Sequence, residues 1–152
     1  MSKSELDKAT GYAYRLLGIR ARSVKELEGR LLQKRYKGAI VNSVMSALKE
    51  NKILDDYSFA RSWVESRMRN NPKGNTLLRK ELRDLGVEAS IIEKVLSEEK
   101  SEEDALIRAL VSQKMKQLEE LPKEKAKQKL FTFLARRGFN FEKINEILKE
   151  TL

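Results

Sequence analysis

The sequence contains no cysteine and no histidine, only two prolines, and aromatic residues make up just 7% of it. Without cysteine there is no disulfide framework and no thiolate chemistry. Without either residue the usual zinc and transition-metal ligand sets are missing, as is the Ser-His-Asp or Cys-His machinery of nucleophilic catalysis. The stretch Asn70 to Asn75 holds one glycine and lacks the spacing of a phosphate-cradling loop. No apolar run approaches the roughly 18–20 residues needed to span a membrane. The first residues, Met1 to Asp7, do not read as a secretory signal, because no apolar stretch follows the charge. The expectation is a cytoplasmic protein with no catalytic, cofactor-binding or metal-binding residue, which works by binding.

What is present is a chain of 152 residues, 40% hydrophobic, with a net charge of +9. The apolar fraction suffices for packed cores, and the charge points to a polyanion or an acidic protein groove as partner. Residues 1–54 carry 12 basic and 5 acidic residues, residues 55–100 carry 9 and 9, and residues 101–152 carry 11 and 9. On this count the surplus belongs to the N-terminal third.

Apolar residues recur three and four apart, as in Leu27, Leu31 or Ile40, Val44, Leu48, and no segment alternates with period two. Shifted by 51 residues, the chain matches itself. Leu27, Leu31, Tyr36, Ile40, Val41 and Val44 fall on Leu78, Leu82, Val87, Ile91, Ile92 and Val95. A further shift of 52 carries Leu78, Leu82, Gly86, Val87 and Ile92 onto Leu130, Leu134, Gly138, Phe139 and Ile144. Extra residues in the third unit are placed at Gln117–Lys123. Ser23 with Glu26 is a capping-box pattern; Asp55 and Asp56 stand where a helix should open, and Ser101 with Asp104 resembles the same device. Gly86 and Gly138 are expected to end helices in the left-handed conformation.

The expected fold is therefore all-α: three tandem three-helix repeats, helix-turn-helix-like units at residues 1–54, 55–100 and 101–152, stacked into an elongated curved body. A unit of about 50 residues is marginal alone, and tandem copies cover one another's apolar faces.

The candidate binding residues form two basic bands. The first comprises Arg15, Arg20, Arg22, Lys25, Arg30, Lys34, Arg35 and Lys37, against Glu26 and Glu28. The second, one repeat later, comprises Arg61, Arg67, Arg69, Lys73, Arg79, Lys80 and Arg83, against Glu65 and Glu81. A single band would be an ordinary solvated helix surface, whereas recurrence favours a line of cations for phosphates or acidic side chains. Trp63 could stack on a base, but its spacing with Phe59 and Ala60 places it in the core, and Tyr12 at the equivalent position likewise. Asp55–Asp56 reads as a helix cap rather than an acid–base or metal site. A sequence-specific DNA reader would need a recognition helix and usually dimer symmetry, which three degenerate units in one chain fit poorly.

Leu54-Asp55-Asp56, Phe59-Ala60 and Trp63, followed by Arg67, Gly74, Leu78, Glu81-Leu82 and Gly86-Val87, resemble the signature of the RecX family. Upstream, Ala13, Leu16-Leu17, Arg20, Arg22-Ser23, Glu26-Leu27 and Leu31 resemble that family's N-terminal unit. The resemblance spans about residues 9–96, and the repeat extends it to the C-terminus. It implies a regulator, mainly an inhibitor, of the RecA recombinase. Such proteins lodge in the groove of the RecA–DNA filament and suppress ATP hydrolysis, strand exchange and the coprotease role in the SOS response, without a cofactor. The implied partner is the RecA filament, with single- or double-stranded DNA as a second, no membrane, and a monomeric state. The alternatives are a sequence-independent DNA-binding module, or a scaffold or antiactivator for another protein.

Overall fold

Ser4, Ser23 and Asn140 each turn a side-chain oxygen onto the amide three residues ahead, satisfying a donor that the first turn of a helix leaves open. At Ser23 the device is a full capping box, since the Glu26 carboxylate accepts from the Ser23 amide in return. Asp55 opens the next unit by accepting from the amide two residues ahead, that of Tyr57, at 2.9 Å. The Ser101 cap lies outside the described residues. The computed structural model describes residues 4–70, 72–98 and 103–152. Among these it contains nine helices and no strand: α1 (Glu5–Ile19), α2 (Val24–Gln33), α3 (Gly38–Glu50), α4 (Asp56–Asn70), α5 (Asn75–Asp84), α6 (Ala89–Glu98), α7 (Glu103–Met115), α8 (Lys123–Arg136) and α9 (Phe141–Thr151). They form three three-helix repeats in tandem, and no described helix is long and apolar enough to cross a membrane.

The second helix of each repeat ends in one geometry. Tyr36 donates to the Leu31 carbonyl, Val87 to Leu82 and Phe139 to Leu134. The intervening residue is left-handed each time: Arg35 at φ 71°, Gly86 at +88° and Gly138 at +86°. Glycine meets this demand without a Cβ clash, whereas arginine pays in backbone strain. The extra residues of the third repeat form turns over 116–122, pinned by the buried Leu118.

By contacts the chain gathers into two compact units that cut across the repeats. One runs to Ser62 and includes Leu82–Ile92; the other holds Trp63–Glu81 and Glu93–Leu152. The first is built on Ala9, Ala13 and Leu16 of α1, Leu27 and Leu31 of α2, and Val41, Val44, Met45 and Leu48 of α3. The alanines, fully buried, let α1 lie close on α3. Each buried leucine contributes roughly 1.5–3 kcal/mol relative to exposure. The second unit is built on Ile107, Val111, Leu130, Leu134, Phe139, Ile144, Ile147 and Leu148.

Each unit also contains one joint between successive repeats, made by the same parts. In the first, the buried Ser23 hydroxyl donates to the Leu85 carbonyl, and a Cβ on Gly86 would come within 2.4 Å of the Lys25 stem. The Asp56 carboxylate accepts from the Val24 amide at 2.8 Å, placing negative charge at the N-terminus of α2. In the second, the Gly74 amide donates to Arg137 at 2.7 Å and Thr76 to Gly138 at 3.2 Å. A Cβ on Gly74 would stand 2.2 Å from the Gly138 oxygen, so this approach requires glycine. In both joints the glycine corner of one repeat docks on the first turn of the second helix of the repeat before it.

Candidate partner-binding surface

The first basic band divides by what each cation touches. Arg15 from α1 and Lys34 from the end of α2 come together: with Lys8, Tyr12 and Tyr36 they line a groove of about 360 Å³ in which Asp7 is the one carboxylate. Lys34 Nζ lies 5.3 Å from the Tyr12 ring centroid, and the Tyr12 and Tyr36 rings are 6.3 Å apart. Such a cation over a ring is held in place without being neutralised. Arg30, Arg35 and Lys37 are exposed and form no ion pair among the described residues.

The rest of the band serves the fold. Arg20 pairs with Glu26, the carboxylate that completes the capping box. Arg22 is half-buried beside Lys52 and Asp55 in a cavity of about 150 Å³. Its Nε has no hydrogen-bond partner, and burial, then the neighbouring Arg20, push its guanidinium pKa down. Lys25 lays its stem over Gly86.

The middle band is organised around carboxylates. Glu81 accepts from Trp63 Nε1 at 2.7 Å, Arg67 Nε at 3.0 Å and Lys73 Nζ at 2.6 Å, and the Arg67 guanidinium lies 4.9 Å from the Trp63 ring. Burial raises the Glu81 pKa, but the bonds from Lys73, Trp63 and Arg67 outweigh it and hold the carboxyl below its ordinary value. Trp63 is thus only half-buried, not closed in the core as its spacing suggests, because the indole N–H reaches Glu81 at the rim. Tyr12 is half-buried too. Arg79 pairs with Glu93, which lowers the carboxyl pKa and raises that of the guanidinium. Arg61 and Lys80 also have partners. Arg69 and Arg83 are exposed and carry no ion pair among the described residues.

The two aspartates separate in role: Asp55 caps α4, and Asp56 reaches α2. Burial, partly offset by the Val24 amide, raises the Asp56 pKa. Among the described residues no cluster of three or more His, Cys, Asp or Glu is arranged to hold a metal.

The third repeat holds a cationic cluster that a charge count conceals. Lys114, Lys129, Arg136 and Arg137 surround Phe133 along a groove of about 550 Å³. Over residues 101–152 the charges nearly cancel, yet α8 itself carries five basic residues and one acidic residue. The lysines at 123, 125, 127 and 129 were the available signal.

Comparison with known proteins matches three family models in order: the first three-helix domain of RecX over residues 9–48, the second over 55–96 and the third over 102–148. The regulatory protein RecX of Prosthecochloris aestuarii is 38% identical over all of this chain and 99% of its own length. That of Chlorobaculum tepidum is 33% identical over all of this chain and 93% of its own. Among solved structures, the crystal structure of RecX from Lactobacillus salivarius superposes with a TM-score of 0.84 at 21% identity, covering 96% of both chains.

Proposed function

The chain belongs to the RecX family of regulatory proteins, and from that premise we propose that it inhibits the RecA recombinase by binding in the groove of the RecA–DNA filament. Bound there, it suppresses ATP hydrolysis, strand exchange and the SOS coprotease function. It acts in the cytoplasm as a monomer and performs no chemistry of its own. The observation that carries this reading is the ordered match of all three domains over nearly the whole chain.

The geometry of the first repeat supports a mode of action. Arg15 and Arg30 on α1 and α2, and Lys34, Arg35 and Lys37 in the turn after α2, form no ion pair among the described residues, which leaves their charge for an acidic surface on RecA. A regulator that binds one arrangement of neighbouring protomers better than another shifts the filament toward that arrangement by its differential affinity. ATP turnover then slows, because its cycle requires both arrangements.

The test is the triple variant Arg15→Glu, Arg30→Glu, Lys34→Glu, assayed for inhibition of DNA-dependent RecA ATPase. The variant should need about tenfold or more protein for half-inhibition, losing about 1.4 kcal/mol or more of binding, with its helical spectrum intact. Undiminished inhibition would remove the first band from the mechanism. Failure of the unmodified chain to inhibit RecA would overturn the function itself.

A further inference from the structure

The groove between α7 and α8 is lined by four cations and no carboxylate. In the same repeat Arg108 pairs with Glu150, and Lys143 with Glu103 and Asp104. Glu103, Asp104 and Glu150 are thus engaged away from the groove. Lys114, Lys129 and Arg136 form no ion pair among the described residues. Along α8, Lys125, Lys129 and Arg136 fall on one face at spacings of four and seven. Like charges one turn apart repel and weaken a helix, so this arrangement works against the fold.

The structure nevertheless holds these groups in position. Lys114 Nζ lies 4.7 Å and the Arg137 guanidinium 4.6 Å from the Phe133 ring centroid, bringing two cations from different helices to one ring. Arg137 is fixed further by donating to the Pro72 carbonyl at 3.2 Å. Thr132 and Gln128 add neutral donors to the same lining. Ammonium, guanidinium, amide and hydroxyl donors in one groove are the groups that contact phosphate oxygens along a nucleic acid strand. An evenly charged strand also matches cations that recur by helical turns. With the Phe133 ring already engaged by cations, base stacking has no prepared platform, so recognition would be independent of sequence.

The geometry points to the α7–α8 groove of the third repeat as a binding site for the phosphate backbone of a nucleic acid strand, separate from the first-repeat surface assigned to RecA. It requires neither RecA nor the inhibitory function, and is tested on bare DNA. The probe is a labelled oligo-dT strand titrated with the full chain while fluorescence anisotropy is followed across a salt series. The unmodified chain should bind at low salt. Lys129→Glu with Arg136→Glu, both exposed positions, should weaken binding about tenfold or more and flatten the log–log salt dependence by about 1.4, the value for two lost phosphate contacts on a single strand. Phe133→Leu, which keeps an apolar side chain but frees Lys114 and Arg137, should weaken binding about two- to fivefold. Lys49→Glu with Lys149→Glu, exposed and outside the groove, removes the same charge and should cost much less. Equal losses in the two double variants would overturn the site, reducing it to net charge. So would poly-glutamate displacing the strand as well as unlabelled oligo-dT at equal charge, which would make an acidic protein segment the ligand. Absence of binding by the unmodified chain at low salt would overturn it as well.

Discussion

The first and middle repeats carry basic bands of similar size at corresponding positions, and the fold pairs more of the middle one with carboxylates. In the middle repeat Glu81 gathers Arg67, Lys73 and Trp63, and Glu93 takes Arg79. In the first repeat the carboxylate one repeat before Glu81 is missing: its place is taken by Arg30. Arg30 and its neighbours Arg35 and Lys37 form no ion pair among the described residues. That substitution of sign removes from the first band the hub that ties Arg67, Lys73 and Trp63 together in the middle one. The same pair of repeats differs at the corner after the second helix, where the middle repeat has Gly86 and the first has Arg35.

The largest effect should follow from removing the hub of the middle band. Glu81→Ala leaves two half-buried cations and an indole N–H without their acceptor and should cost about 3 kcal/mol in urea unfolding. Glu81→Gln should cost less, because its amide oxygen still accepts. The depressed pKa of Glu81 gives a sign for acid. Its contribution is complete above the unfolded-state pKa and is lost as pH falls through the folded-state value. Unfolding midpoints taken from neutral to acidic pH should therefore fall more steeply for the unmodified chain than for Glu81→Gln. Parallel curves would show that the three donors do not act through this carboxylate's charge.

A smaller loss, about 2 kcal/mol, is expected for Gly86→Ala, which combines a left-handed backbone with a Cβ pressed on the Lys25 stem. The smallest effect has the opposite sign. Arg35→Gly relieves the same backbone demand at an exposed corner and should stabilise by about 0.5 kcal/mol after the added freedom of the unfolded chain is counted. It should also weaken RecA inhibition. A more stable variant with unchanged inhibition would show that the arginine is not kept for binding.

Much of this was legible in the residues. Leu27 and Leu31, repeated as Leu78 and Leu82 and again as Leu130 and Leu134, mark the buried face of each second helix, and all six are fully buried. The Ser23–Glu26 box and the left-handed Gly86 and Gly138 are local devices, so local sequence was enough to find them. Trp63 was misplaced because spacing reports which face turns inward, not that a polar atom on that face finds Glu81 eighteen residues on. The cluster around Phe133 was missed because charge was averaged along the chain, whereas its cations come from α7 and from one side of α8.

The sequence by itself determined where most helices begin and end and that three copies of one unit follow each other. Those properties depend on backbone preferences and apolar spacing, which act over a few residues at a time. Only the tertiary structure decided which cations are neutralised and which remain open. An ion pair depends on distances in space rather than on the letters, and Arg20 and Arg30, equally basic, differ because Glu26 lies against the one while the other forms no ion pair among the described residues.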